Sequence, residues 1–149
     1  MHSPLTALRL HSGALIDLAQ DTYIQNQWRS VFTEIRAVVQ IEVEASKWIG
    51  RRDQIGAESQ YLVRSIQKLK QVSSRSIAIV RKRLVTPDDI LRMCDDMAAA
   101  SVACSHGCTR VARALTTAGG AVQAQPFVST ADRAQALAAH ARALRVCSI

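Results

Sequence analysis

Residues 86–120 read TPDDILRMCDDMAAASVACSHGCTRVARALTTAGG, and they decide the fold. Thr86 suits an N-cap, and Pro87 takes the first helical position, where its missing N–H costs nothing. Asp88 and Asp89 set negative charge against the positive end of a helix. From there Ile90, Cys94, Met97, Ser101, Cys104, Cys108, Val111 and Leu115 alternate spacings of four and three, the signature of one buried helical face. Gly119-Gly120 stops the helix. Because the stripe is rich in Ala, Ser and Cys, neighbouring helices can approach it closely.

Upstream, Asp53 or Gln54 starts another helix with the stripe Ile55, Leu62, Ile66, Leu69, Ser73, Ile77, Val80 and Leu84. Before it, Ile24, Trp28, Val31, Ile35, Val38, Ala45 and Ile49 trace a third. Glu42 occupies a core slot there, but helical drift of about 20° per heptad lets Ile41 take its place. Val39 and Val43 widen the apolar face, and Gly50 caps the end in a left-handed conformation. The chain opens with Ser3-Pro4 and a short helix carrying Leu5, Leu8, Leu15, Leu18 and Ala19, and a phase slip predicts a break near Asp21-Thr22. Downstream of Gly120, a loop through Pro126 and Phe127 precedes Ser129-Thr130 and a short helix with Ala134, Leu137, Ala138, Ala141 and Leu144.

The three long helices, each ~42–48 Å at 1.5 Å per residue, are joined by short connections that make antiparallel neighbours. The expectation is an all-α, antiparallel, up-and-down bundle of four to five helices, forming a single domain over residues 1–149. Composition agrees: 48% hydrophobic and 21% charged is globular, while 4% aromatic residues with six Gly and three Pro is too few for an all-β domain.

No apolar stretch approaches the ~20 residues of a membrane span. Residues 1–14 lack the apolar run of a signal peptide. Arg9 stands alone ahead of Asp17 and Asp21, which gives a matrix-targeting presequence little support. Cys94 and Cys104 lie ~15 Å apart on one helix and cannot bond each other. With Cys108 and Cys147 they form no disulfide framework, and a reducing, cytoplasmic setting is expected.

Enzyme chemistry finds no constellation. Cys104-Ser105-His106-Gly107-Cys108 has zinc-ligand residue types, but His106 points roughly 160–200° away from the face the two cysteines share. The cysteines read as small core residues, with no metal and no cofactor. Glu-x-x-His pairs and glycine-rich phosphate loops are absent. The histidines (His2, His11, His106, His140) are scattered. Trp28 belongs to the core stripe, while Trp48, beside Lys47 and near Arg51-Arg52, reads as a plug at a bundle end.

Charge is the most informative functional feature. Of a net +7, residues 54–85 hold most, with Arg64, Lys68, Lys70, Arg75, Arg81, Lys82 and Arg83 against Glu58 alone. Arg64, Lys68, Arg75 and Lys82 fall on one face. Two readings compete: a solvated face partly neutralised by Asp88, Asp89, Asp95 and Asp96, or a docking stripe for an acidic filament, an anionic membrane surface or a nucleic-acid backbone. No aromatic is interleaved among the positives, which disfavours nucleic acid.

The run from Asp88 to Ser101, followed by Cys108-Thr109-Arg110-Val111-Ala112, resembles, with a one-residue slip, a segment of the actin-binding I/LWEQ module of talin and huntingtin-interacting proteins. In that module an acidic helix start leads into an alanine- and serine-rich helix. The architecture is similar to vinculin-like and focal-adhesion-targeting bundles. The resemblance implies a non-enzymatic domain that binds actin or adhesion partners, and no binding residue is carried over from it. The sequence thus points to a scaffold or adaptor domain that binds an acidic protein partner, and the resemblance adds a cytoskeletal setting with actin binding. The alternative is a structural subunit of a large protein or ribonucleoprotein assembly.

The pattern requires Ile35, Val38, Ile66, Leu69, Met97 and Val111 to be buried. Truncating Ile66 or Leu69 to Ala should cost ~2–5 kcal/mol in chemical denaturation, and a loss near zero would remove them from the core.

Overall fold

The computed structural model describes residues 14–81 and 86–147, with side chains from residue 26 to 146. Among the described residues five helices follow in order: α1 (Ala14–Val39), α2 (Ile41–Ser46), α3 (Gln54–Val80), α4 (Pro87–Thr117) and α5 (Ala121–Cys147). Among the described residues every regular element is helical, and no helix is long and apolar enough to cross a membrane. The long helices form an all-α antiparallel bundle. Its directions are fixed by cross-helix pairs: Glu58 meets Arg110 while Leu62 meets Gly107, and Ser105 meets Ala131 while Asp95 meets Arg145. As the number rises in α3 or α5, it falls in α4. α1 packs against α5 and α3.

The helix starts are built as their sequences dictate. Thr86 Oγ1 accepts from Asp89 N at 3.1 Å, while the Asp89 carboxylate accepts from Thr86 N at 3.4 Å, a reciprocal capping box. Asp53 caps α3 by accepting from Gly56 N at 3.2 Å. Gly50 and Gly119 have φ +95° and +85°, so the chain reverses through the left-handed region that glycine enters without steric cost.

All eight stripe residues of α4 are buried, as are Ile35, Val38, Ile66, Leu69 and Trp28. Two interior hydroxyls are satisfied: Ser101 Oγ donates to Met97 O at 2.7 Å, and Ser105 Oγ donates across to Ala131 O on α5 at 3.0 Å.

Four expectations are corrected. First, α1 runs unbroken through Asp21-Thr22 and is interrupted at Gln40 instead. The core residues Ile35, Val38 and Ile41 are spaced by two successive threes, which overwinds a helix. The Val43 N–H accordingly reaches back only three residues, to Gln40 O at 3.3 Å. Second, past this point Ile41 and Ala45 stay buried while Val43 and Ile49 are exposed, so the apolar face narrows. Third, the later stripe of α3 runs through Val72 and Ser76 rather than Ser73 and Ile77, and α3 ends at Val80; Leu84 lies outside the described residues, as do Ser3-Pro4, Leu5 and Leu8. Fourth, the expected loop through Pro126 and Phe127 is the second turn of α5. An interior proline costs about 3 kcal/mol. Here it removes only the bond to Val122, on a side where Pro126 and Val122 are both exposed. The full burial of Phe127 returns ~1.5–3 kcal/mol, and Ala124 is buried beside it.

At the α3–α4 crossing, a Cβ on Gly107 would lie 3.0 Å from Leu62 Cδ1 and 3.1 Å from Leu62 Cα. The second contact is backbone and cannot rotate away. Gly107→Ala should therefore destabilise by ~1–3 kcal/mol through overpacking, although Ala is the better helix former by ~1 kcal/mol. Thermal and urea unfolding against an exposed control, Gln67→Ala, will show it; a stabilised Gly107→Ala would contradict the close crossing.

Candidate functional site

The candidate site is the outer face of α3, and the inner face positions it. Leu62, Ile66 and Leu69 are fully buried, which turns the opposite side of the helix to solvent. Arg64, Lys68 and Arg75 are all exposed there. At 100° per residue they fall within about 40° of arc and span ~16 Å along the axis. Lys82, the fourth expected member, lies outside the described residues. Beside the stripe, Lys68, Lys70, Gln71, Ser74 and Arg75 line an open depression.

The charges of α3 divide into two groups. Lys70 Nζ donates to Glu42 Oε1 of α2 at 2.6 Å, and Glu58, nearly buried, is held by Arg110 of α4 with Nε 2.7 Å from Oε2. The Arg110 guanidinium also stacks over the Tyr61 ring at 4.8 Å. These groups tie helices together. Arg64, Lys68 and Arg75 take part in no ion pair or side-chain hydrogen bond among the described residues. Nor does an acid of α4 form an ion pair with them among the described residues. Asp89 is engaged in the capping box, and Asp95 accepts from Arg145 Nε of α5 at 2.7 Å. Like charges four residues apart, such as Arg64 and Lys68, cost a helix roughly 0.2–0.5 kcal/mol. The fold carries this small penalty without a packing return.

The other sequence candidates lie on other elements. Cys94, Cys104 and Cys108 are buried free thiols, and burial pushes each up to about 12, with the Asp95 charge adding to the effect at Cys94. Exposed His106 does not join them, and among the described residues no group of three or more His, Cys, Asp or Glu could hold a metal ion. Trp48 is half-buried against the core, with the Arg51 guanidinium 5.6 Å from its ring centroid. Arg51 also bonds the Asp53 carboxylate with Nε at 3.0 Å, which lowers the Asp53 pKa from its ordinary value.

The pairings of Glu58 with Arg110 and of Lys70 with Glu42 join residues far apart in the chain and left no local signal in the sequence. No protein-family model matches this chain, and no curated protein or solved structure does either.

The thiols generate a pH prediction. Their protonated form is favoured in the folded state, so stability from this source is complete below pH ~9 and falls as pH rises toward 12. The slope is up to about 1.4 kcal/mol per pH unit for each thiol. Urea titrations between pH 7 and 11 should show it, and Cys104→Ala should flatten the alkaline limb. An unchanged limb would mean that the Cys104 thiol ionises as readily folded as unfolded.

Proposed function

We propose that this chain is a non-catalytic helical-bundle interaction domain, of the scaffold or adaptor kind, that binds an acidic partner through the outer face of α3. The observation that carries the reading is the division of charge on that helix. Lys70 and Glu58 are used internally, whereas Arg64, Lys68 and Arg75 stand exposed in a line that serves no contact within the described chain. Such a line focuses positive potential and attracts acidic surfaces in a salt-dependent manner. The resemblance of residues 88–112 to the actin-binding module makes an actin filament, itself an acidic polymer, the first partner to try. A phosphate backbone would satisfy the same charges, but no aromatic is interleaved among Arg64, Lys68 and Arg75 for base stacking, and Tyr61, ahead of them, holds the Arg110 guanidinium over its ring.

The test is the triple reversal R64E/K68E/R75E, examined on immobilised polyglutamate and by co-sedimentation with actin filaments across a salt series. Each exposed substitution should change stability by less than ~0.5 kcal/mol. The wild-type chain should be retained and elute at clearly higher salt than the variant. Equal elution would show that the stripe is only a solvated face, and RNA binding that exceeds filament binding would favour the ribonucleoprotein role.

A further inference from the structure

The outer face of α3 carries a pattern beyond its charge. Ala57, Gln60, Arg64, Gln67, Gln71, Ser74, Ala78 and Arg81 alternate spacings of three and four, and every one is exposed. This is a second heptad seam, on the side of the helix opposite the buried stripe. Apart from Arg64 and the terminal Arg81, its residues are small or neutral polar. Lys68 and Arg75 flank it along one edge at seven-residue spacing. Along the other edge Gly56 is buried, Val63 and Ile77 are partly buried, and Lys70 is already paired with Glu42. Only one edge therefore presents free charge.

We infer that the occupant of this face is an α-helix of a partner protein, with acidic side chains repeating every seven residues along one edge. The inference rests on the docking role proposed above. Flanking positions of a helix pair recur every seven residues and choose partners by charge, which is the period of Lys68 and Arg75. Between Arg64 and the terminal Arg81, a seam of Gln, Ser and Ala offers a second helix polar contacts without a large apolar surface. Its affinity then comes from the edge charges and falls with salt. A bilayer would favour large apolar side chains beside the cations. The most exposed of these, Val43, Val122 and Val146, lie on other helices.

The probe is a labelled synthetic helix of Ala and Gln with Glu at every seventh position along one edge, about four heptads long. Its control has the same composition with the Glu residues distributed around the helix. The in-register peptide should bind the wild-type chain at least tenfold more tightly than the control. K68E/R75E should lose this preference, and the same peptide with Lys in place of Glu should bind that variant. If both peptides bind alike while polyglutamate still retains the chain, the surface accepts acidic polymers of any form and the helical occupant is wrong. If polyglutamate fails as well, the docking role itself falls. Tighter, Lys68- and Arg75-dependent binding to phosphatidylserine vesicles or single-stranded RNA would replace the helix with that surface.

Discussion

Where α3 crosses α4, the absence of a side chain at Gly107 lets the Leu62 backbone come as near as a methyl group would need to be. The crossing depends on that vacancy, and much else depends on the crossing. It brings Glu58 within reach of Arg110 and lets Arg110 cover Tyr61. On its other side α4 packs against α5 closely enough that the Ser105 hydroxyl reaches the Ala131 carbonyl on the neighbouring helix. Close approach of this kind gains dispersion contacts that bulkier seams forgo. It also makes the interior intolerant of added volume.

The same crossing fixes the electrostatic character of the exterior. Glu58, the acid of α3, is held by Arg110 on the inner side of the helix, away from the stripe. Glu42 pairs with Lys70 in turn. What remains is a one-sided row of cations with no ion pair among the described residues. Exposed ion pairs contribute little to stability, typically ~0.2–1 kcal/mol. Leaving three charges unpaired is thus cheap for folding and consequential for encounter with an acidic surface. The buried thiols are the converse case: they are enclosed by the packing, and burial favours their protonated form.

Wherever a buried face repeated with helical period and ended in a recognisable cap, the sequence was legible. Thr86-Pro87-Asp88-Asp89 and the α4 stripe are the clearest examples, and the outward placement of Arg64, Lys68 and Arg75 follows from the inward placement of Leu62, Ile66 and Leu69. Reading failed where a local signal was overridden by a distant contact. Pro126 is a helix breaker by itself, yet burial of Phe127 against the bundle offsets much of that cost. In α3, Val72 and Ser76 displace Ser73 and Ile77 because the neighbouring helices, and not the periodicity, decide which side is inside near the end of a helix.

Sequence alone therefore determined the all-α class, the starts of α3 and α4, and the outward side of α3 that carries Arg64, Lys68 and Arg75, because periodicity and capping act within a few turns of chain. Tertiary structure decided which charges are free. Whether a lysine such as Lys70 or an acid such as Glu58 is neutralised depends on a residue on another helix, brought within hydrogen-bonding distance only by packing. The Coulomb interaction between them is set by that distance in space, which separation along the chain does not encode.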